Sequence, residues 1–298
     1  MSSTSTVTFH PAQGTGDEVF SILIPTWNNL THLKCCVESI RKNSSMRHQI
    51  IVHLNEGSDG SLEWVRSQGL DYTKSDQNVG VCYGFNAPSA LARCKYILLS
   101  DDDFYFAPDW DESLLEEIQK APSLFCISGT MIEHTKSRNN CAIAPHDFGK
   151  TVQSFDEARF LREYMNMPFG DWNGSNWYPL VMPRSLWILI GGLSVEFSPG
   201  MGSDPDMMMK LWHAGVRYYK GVSCCRVYHF GSKTTSRIVH NNANKQFLHK
   251  WNISISTLYK FTLRMGEPFA GTLTGPGEGS DYQRRIIRDR IKKMIGLS

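Results

Sequence analysis

Short apolar runs alternate with longer amphipathic stretches along most of the chain. The apolar runs are rich in β-branched and aromatic residues, as in buried strands, whereas the amphipathic stretches carry apolar residues at helical spacing. Strands are predicted at residues 19–24, 49–54, 96–99, 125–129 and 222–228. Helices are predicted at residues 30–42, around 64–65, from 80 to about 94, at 110–120 and at 207–214. This alternation predicts an α/β fold with a mostly parallel central sheet flanked by helices.

The ends of the chain have a different organisation. Apolar residues at helical spacing predict one helix over residues 244–265 that covers the core. Residues 266–281 are rich in Gly and Pro, which predicts a linker. At the amino end, residues 1–17 lack a periodic apolar pattern and predict a flexible lead-in.

A basic amphipathic helix is predicted at the carboxyl end, over residues 282–298. Its apolar face carries Ile287, Ile291, Met294 and Ile295. Its other face carries the basic residues Arg284, Arg285, Arg288, Lys292 and Lys293. Two interpretations fit this pattern: peripheral contact with an anionic membrane surface, or docking on the chain's own domain or on a partner subunit.

The amino-acid composition excludes some classes of protein but does not indicate a reaction or a ligand. The chain is 41% hydrophobic and 20% charged, with a formal net charge of +2, so no overall attraction to nucleic acid is expected. Its eight cysteines show neither a C-x-x-C pair nor a Cys/His spacing typical of zinc sites, which predicts free thiols in a reducing compartment. An apolar signal region and a run of membrane-span length are both absent from the sequence, so a cytoplasmic location is expected.

The most distinctive polar stretch is Asp101-Asp102-Asp103, directly after the apolar run at 96–99. On an extended backbone Asp101 and Asp103 point to the same side, so both can reach one divalent cation or its bound waters. For an isolated acidic triplet, a solvated turn or a helix cap is the alternative. Ligands of parallel α/β sheets bind beyond the carboxyl ends of the strands, where Thr26, Glu56 and Asp101 would all emerge. This context favours the metal site.

Phosphate-binding loops are missing, because neither G-x-G-x-x-G nor G-x-x-x-x-G-K-[ST] occurs. Bound phosphates would therefore need a metal ion to balance their charge. Two further acids, Asp204 and Asp206, precede residues 207–214 and suit either a catalytic carboxylate or a helix N-cap. Trp172 and Asn173 lie in a stretch of aromatic and amide residues, which suits either sugar binding or an ordinary packed turn.

Taken together, these segments resemble the inverting GT-A glycosyltransferases of family 2, in the family's order, over about residues 19–263. Six segments carry the resemblance: SILIPTWN at 21–28, NEGSDG at 55–60, NVG at 78–80, the D-x-D-like triplet at 101–103, the stretch from Gly191-Gly192 to Asp204-Pro205-Asp206, and HFGS at 229–232. The resemblance implies a GT-A domain over residues 18–265, with a nucleotide-binding half to about 130 and an acceptor-binding half beyond it.

The same resemblance implies roles for single residues. Metal ligands would be Asp101, Asp103 and His229, a set of oxygens and one imidazole that suits Mn²⁺ or Mg²⁺. Nucleotide-sugar contacts would be Pro25, Thr26, Trp27, Glu56, Asp76, Asn78, Asp101 and Asp102. The catalytic base would be Asp204, with Asp206 as the second candidate, and Trp172 and Asn173 would contact the sugar or the acceptor. Ser203 departs from the family pattern, in which a glutamate often precedes the base.

The function implied is metal-dependent, inverting transfer of a sugar from a nucleotide donor, UDP-linked, to a hydroxyl of a glycan or lipid-linked glycan. One alternative is a sugar nucleotidyltransferase, which also uses an α/β sheet and a carboxylate-bound metal but should carry a glycine-rich, basic loop after its first strand. PTWNN at 25–29 is not such a loop. A second alternative is a non-catalytic nucleotide-sugar or glycan-binding module, which would tolerate loss of the base.

Overall fold

A single sheet of eleven strands runs through the part of the chain that the computed structural model describes, residues 6–136, 140–232 and 241–296. The strands are β1 (Val7–His10), β2 (Phe20–Trp27), β3 (Gln49–Asn55), β4 (Asp71–Ser75), β5 (Tyr96–Leu99), β6 (Phe104–Phe106), β7 (Phe125–Glu133), β8 (Ala142–Ile143), β9 (Trp172–Asn173), β10 (Leu180–Pro183) and β11 (Tyr218–His229). The helices are α1 (Leu30–Asn43), α2 (Ser61–Ser67), α3 (Gly80–Ser89), α4 (Trp110–Lys120), α5 (Glu157–Glu163), α6 (Arg184–Ile190), α7 (Ser203–His213), α8 (Ala243–Trp251), α9 (Ile255–Thr257) and α10 (Ser280–Met294). Short 3-10 turns occupy Val152–Ser154, Tyr164–Asn166 and Val195–Phe197, and a π-helical turn at Leu258–Thr262 continues α9.

Strand direction explains how distant segments meet at one place. β4, β3, β2 and β5 are parallel neighbours, and β10 follows β5 as an antiparallel strand. β10 is also antiparallel to β7, and β7 is parallel to β11. The carboxyl ends of β2, β3, β5, β7 and β11 therefore lie together, with the amino end of β10 between them. We call this side of the sheet its carboxyl edge.

The α/β fold with a central sheet flanked by helices agrees with the prediction, but the sheet is more mixed than expected. Parallel order holds for β4, β3, β2 and β5, whereas β1, β6, β9 and β10 run antiparallel to their neighbours. β10 and α6 follow one another directly, and Arg184 and Ser185 lie between the apolar residues of the strand and those of the helix. Apolar stretches as short as these do not by periodicity separate a strand from a helix.

The core fills the space between this sheet and its helices. Ile22 and Leu23 in β2 are fully buried, as are Leu98 in β5 and Ile127 in β7, in keeping with strands covered on both faces. Trp110 opens α4 and is also fully buried, where its ring packs 4.8 Å from that of Phe106 in β6. A rigid core of this kind holds the residues at the carboxyl edge in place.

At the amino end, the prediction of a flexible lead-in over residues 1–17 is wrong for β1. Val7–His10 pairs with β4 in antiparallel register, from Val7 opposite Ser75 to His10 opposite Tyr72. This short, partly exposed edge strand carries no continuous apolar run, so its backbone pairing leaves little trace in the sequence. Residues 1–5 of the predicted lead-in lie outside the described residues.

Two predictions after residue 243 also need correction. The single helix expected over 244–265 breaks at Asn252, whose φ of 61° ends α8 in the left-handed conformation that Asn tolerates. The stretch predicted as a linker packs on the domain: the Phe269 amide donates to the Asp171 carbonyl, and the Leu273 side chain is 4% exposed. The Gly and Pro residues of this segment therefore allow its backbone to follow the domain surface, and the segment is not a flexible linker.

The helix at the carboxyl end, α10, docks on the domain through its polar side. Asp289 is 1% exposed and accepts hydrogen bonds from the Ser254 amide (2.8 Å) and the Thr257 hydroxyl (2.5 Å). Lys293 donates to the His249 carbonyl (3.0 Å). Docking on the chain's own domain is therefore the interpretation that the structure supports for this face.

The apolar side of α10 points outward, with Ile287, Ile291, Met294 and Ile295 all exposed. In the part of the chain that is described, no helix is long and apolar enough to cross a bilayer. Residues 297 and 298 of the predicted helix lie outside that part.

Candidate active site

A cleft of about 430 Å³ opens at the carboxyl edge of the sheet. Eight of the residues predicted from sequence line it: Pro25, Thr26, Trp27, Asn78, Asp101, Asp102, Asp103 and His229. Because parallel strands end together at this edge, residues far apart in sequence meet here as expected. A second cleft of about 340 Å³ lies at the opposite ends of the strands, where Arg93 pairs with Glu18 (2.9 Å) and with Asp71 (3.2 Å).

The acidic triplet occupies the connection between β5 and β6, and turns within it. The prediction of an extended backbone here is wrong, yet the side chains of Asp101 and Asp103 still converge. Their carboxylate oxygens and a ring nitrogen of His229 all lie within 4.8 Å of one another. His229 reaches this place because β11 pairs with β6, setting His229 opposite Phe104.

Asp102 has a different role from its neighbours. Its carboxylate accepts hydrogen bonds from the Thr26 hydroxyl (2.6 Å) and from the Asn29 side-chain amide (3.1 Å). It is 8% exposed and joins the acidic turn to the end of β2 and the start of α1. Asp102 is therefore held by protein hydrogen bonds, whereas Asp101 and Asp103 belong to the group that converges with His229.

The electrostatics of the three acids differ for a physical reason. Burial, together with the charge of Asp103, raises the pKa of Asp101 to about 8. Burial also raises the pKa of Asp102 to about 7, despite its hydrogen bonds with Thr26 and Asn29. Burial would raise the pKa of Asp103 too, but hydrogen bonds and charge from His229 lower it below its ordinary value. Negative charge is thus crowded at this edge, which a bound cation would relieve.

His229 differs from the acids because the carboxylates around it favour its protonated form. Burial opposes its protonation, but hydrogen bonds with Asp103 and Glu133 and the nearby carboxylate charge raise its pKa to about 10. Its Nε2 lies 3.6 Å from the Asp103 Oδ2 atom, which also accepts a hydrogen bond from the Ser232 amide (2.6 Å). Two carboxylates and one imidazole form a donor set that fits Mn²⁺ or Mg²⁺.

Asp204 lies in the first turn of α7, and its carboxylate accepts a hydrogen bond from the Tyr178 hydroxyl (2.8 Å). Tyr178 lies two residues before β10, so the reversed direction of that strand carries it to the carboxyl edge. Burial raises the pKa of Asp204 to about 6, although the Tyr178 hydrogen bond acts to lower it. The charge of Asp204 contributes to the raised pKa of Asp101 as the last of its causes, although Asp204 is not among the residues that line the cleft.

The helix-cap interpretation of Asp204 and Asp206 is wrong. Gly202 is the N-cap of α7, with φ of 89°, and neither acid makes a side-chain cap hydrogen bond. Asp206 is fully buried, and its Oδ1 atom accepts from Trp251 Nε1 (2.8 Å) and pairs with Lys250 (2.7 Å). An acceptor cannot reach a carboxylate that is enclosed in this way. Asp206 is therefore excluded as the second candidate for the base.

Four other predicted contacts do not reach the cleft wall. Glu56 accepts a hydrogen bond from the Asn28 side chain (3.0 Å), and exposed Asp76 pairs with Lys74 (3.1 Å). Trp172 and Asn173 are 2% and 3% exposed and form the short strand β9, so they are packed interior residues and not a sugar-binding surface. The Trp172 indole lies on Gly221, where the Cβ atom of any larger residue would come within 1.8 Å of the ring.

Several lining residues were missed by the sequence analysis. Asn55 binds the Val79 amide (2.8 Å), although only the next residue in its turn was predicted as a contact. Gly80 has φ of 78°, and a Cβ atom there would lie 2.8 Å from the Pro199 carbonyl oxygen. This close approach brings the loop before α7 against α3 and closes one side of the cleft. Nothing in the sequence pattern signals that contact.

A GT-A type glycosyltransferase is the class of protein that this fold and cleft define. The chain belongs to glycosyl transferase family 2, whose family model matches residues 21–171, just over half of the chain. Similarity to a crystal structure of S. aureus TarS extends over 94% of this chain and 44% of that one, with a TM-score of 0.55 and 13% identity, and supports the fold. Family 2 enzymes generally use a divalent metal, and the donor set above agrees with that.

Curated relatives point in the same direction. The chain is 21% identical over 196 residues to an uncharacterized glycosyltransferase of Haemophilus influenzae, covering 65% of this chain and 62% of that protein. It is 25% identical to glycosyltransferase GlyG of Streptococcus pneumoniae, covering 52% of each chain. It is also 25% identical to a glucosyl-dolichyl phosphate glucuronosyltransferase of Haloferax volcanii, covering 56% of this chain and 47% of that one. The matches therefore span about half to three-fifths of these relatives' lengths.

Proposed function

We propose that this protein is a metal-dependent, inverting glycosyltransferase of the hexosyltransferase type. It would move a sugar from a nucleotide donor, UDP-linked, to a hydroxyl of an acceptor. The observation that carries the proposal is the convergence of Asp101, Asp103 and His229 at the carboxyl edge of the sheet, with Asp204 held by Tyr178 next to the amino end of β10. Such a site has the two groups that the reaction needs: ligands for a cation beside the donor phosphates, and a carboxylate on the acceptor side.

On the donor side, a divalent cation held by Asp101, Asp103 and His229 would stabilise the negative charge that builds on the departing nucleoside diphosphate. Thr26 and Asn29 hold Asp102 and so keep the acidic turn in place before a donor binds. Pro25, Trp27 and Asn78 line the wall beside this turn and are our proposed contacts for the nucleotide. Preorganised groups of this kind lower the cost of binding.

On the acceptor side, Asp204 would take the proton of the attacking hydroxyl. One of its oxygens accepts the Tyr178 hydrogen bond, which leaves the other oxygen for the acceptor. Attack on the face opposite the nucleotide inverts the anomeric configuration, because the sugar carbon exchanges its bonds in a single in-line displacement. A carboxylate whose pKa is raised to about 6 is a stronger base than an exposed aspartate and is still ionised at pH 7.

For the acceptor, we propose a glycan or a lipid-linked glycan. The Haloferax relative is named for action on glucosyl-dolichyl phosphate, a lipid-linked sugar, and this supports the lipid-linked alternative. A sugar nucleotidyltransferase is disfavoured by membership of family 2. A non-catalytic module is disfavoured by Asp204, because a binding protein has no use for a half-buried carboxylate that is held by the Tyr178 hydroxyl and has a raised pKa.

The proposal can be tested without knowing the donor in advance. A panel of nucleotide sugars is screened by thermal shift with Mn²⁺, since a ligand that binds only the folded state raises the melting temperature. Release of free nucleoside diphosphate is then measured with the stabilising donor and candidate acceptors. Release that requires both metal and acceptor supports transfer, whereas undiminished turnover after thorough chelation contradicts metal dependence.

We expect the rate of transfer to fall as the pH is lowered, because protonation of Asp204 removes the base. Because the base must be ionised, kcat/KM should be constant well above pH 6 and fall about tenfold per pH unit below the pKa of Asp204, which is about 6. Tyr178, which lies before β10, is the group that acts directly on this carboxylate. The charge of Asp204 in turn acts on Tyr259 after α9, on Cys82 on α3 and on Asp101 after β5. A pH profile of kcat/KM measures the effect.

The variant Tyr178→Phe checks the assignment. It removes a hydrogen bond to the ionised form of Asp204, so the acid limb should move upward by about one to two pH units. Near pH 9 the variant should recover most of its rate. An unshifted acid limb would mean that Tyr178 does not tune the base.

We further propose that the exposed apolar side of α10 makes peripheral contact with an anionic membrane surface. Arg284 and Arg288 are exposed beside Ile287 and Ile291, so charge and apolar area would both favour such a surface. The double variant Ile287→Asn/Ile291→Asn should bind anionic vesicles more weakly while its melting temperature stays unchanged. Removing all of α10 is a poorer test, because Asp289 is buried against Ser254. Equal vesicle binding by the variant contradicts the contact.

A further inference from the structure

Glu133 is a carboxylate beside the candidate metal site for which neither the sequence motifs nor the mechanism above has a role. It ends β7, and its neighbour in the parallel register with β11 is His229. Its Oε1 atom lies 3.3 Å from His229 Nδ1, while His229 Nε2 lies 3.6 Å from Asp103 Oδ2. The imidazole is thus held between two carboxylates, one on each ring nitrogen.

This arrangement decides which ring nitrogen is available to an ion. Both ring nitrogens face a carboxylate, and Nδ1 is the one that can donate to Glu133, because an ionised carboxylate only accepts hydrogen bonds. A cation would therefore take the place of the proton on Nε2, while Nδ1–H stays bonded to Glu133. The Nε2 atom then faces Asp103 and the convergent ligand group. Phe104 packs edge-on against the ring, with centroids 5.2 Å apart, and limits its tilt. Glu133 limits the rotation of the ring by holding Nδ1, and Phe104 limits its tilt by packing against it.

Glu133 acts from outside the ligand group. Among the described residues, the group whose ligand atoms lie within 4.8 Å of one another consists of Asp101, Asp103 and His229, without Glu133. Its backbone is secured separately, since its carbonyl accepts from the His146 amide (2.8 Å) and β7 is paired with β11 and β8. Shortening its side chain should therefore leave the strand in place.

We propose that Glu133 is a positioning residue that orients His229 toward a divalent cation and so strengthens metal binding. This inference rests on the metal site of the proposed function and adds to it a carboxylate that does not touch the ion. Carboxylates that hold a metal-binding histidine in this way typically contribute about 10- to 100-fold to metal affinity. The same size of effect is expected here.

The test is a titration of the whole chain with Mn²⁺ alone, followed by the EPR signal of the free ion, so that no substrate is needed. Glu133→Ala should weaken binding about 10- to 100-fold. Glu133→Gln, whose amide oxygen still accepts from Nδ1, should recover most of that loss. Adding Glu133→Ala to His229→Ala should cause little further weakening, because the effect passes through the histidine. Circular dichroism verifies that each variant is folded.

Each result has a definite meaning. Wild-type affinity in Glu133→Ala overturns the positioning role while leaving the proposed function intact. Additive losses in the double variant also overturn it, since Glu133 would then act independently of His229. If the wild-type protein itself fails to bind Mn²⁺, the metal dependence of the proposed function falls and the role of Glu133 falls with it.

Discussion

Replacing Asp204 by asparagine is expected to reduce sugar transfer by about 10²- to 10⁴-fold, the usual contribution of a general base. Asparagine keeps the size of the side chain and still accepts a hydrogen bond from Tyr178, but its amide takes no proton at neutral pH. Donor binding should stay near the wild-type level, because Asp204 lies on the acceptor side. The measurements are kcat for nucleoside diphosphate release and the donor-induced thermal shift.

A matched control for this variant is Glu196→Gln. Glu196 is an exposed acid in the 3-10 turn that precedes α7, and it pairs with Lys250 (2.7 Å). Like Asp204→Asn, the substitution Glu196→Gln removes one negative charge near that helix. Its transfer rate should stay within about twofold of wild type, as expected for a surface ion pair. If Asp204→Asn transfers sugar at the wild-type rate, the base is another group and the acceptor side of the mechanism is wrong.

The second large effect is expected from Asp103→Asn, which should abolish the stabilisation that Mn²⁺ gives to the folded protein. For a wild-type site at a metal concentration 100-fold above its dissociation constant, that stabilisation is about 2.7 kcal/mol. Asparagine can still accept the Ser232 hydrogen bond, so the local turn should survive. It loses the negative charge that a divalent cation requires. The metal-dependent thermal shift and metal-dependent transfer should disappear together.

Asp109→Asn is a suitable control for Asp103→Asn. Asp109 is exposed six residues further along, with φ of 60°, and asparagine tolerates that conformation. Its Mn²⁺-dependent shift should equal that of wild type. A full Mn²⁺ shift in Asp103→Asn, or a manganese-soaked crystal with density far from Asp103, would place the metal elsewhere and remove the donor side of the mechanism.

Sequence patterns predicted the elements whose signals are local and strong. The apolar run at 96–99 and the acid-started helix at 110–120 appear as β5 and α4 with the predicted ends. The acidic triplet, His229 and Asp204 were found through motifs, since their spacing resembles that of a known family. These are features that a single stretch of chain carries by itself.

The site features that could not be predicted from the sequence depend on contacts between distant segments. Tyr178 and Glu133 reach the site only because β10 is reversed and because β7 and β11 are in register, neither of which leaves a mark on the local pattern. Trp172 was predicted to contact the sugar or the acceptor, but Gly221 on β11 leaves space for its ring in the interior. Glu56 and Asp76 were predicted from position in a motif, and their partners are neighbouring side chains.

The insertion of β10 between β5 and β7 bears on how the molecule folds. A fragment that stopped at residue 171, where the family match ends, would leave a strand-wide gap in the middle of its sheet. The segments before and after residue 171 are therefore interleaved in one sheet and cannot be cut apart as autonomous units. Unfolding should be a single cooperative event across both, and limited proteolysis should release no stable amino-terminal half.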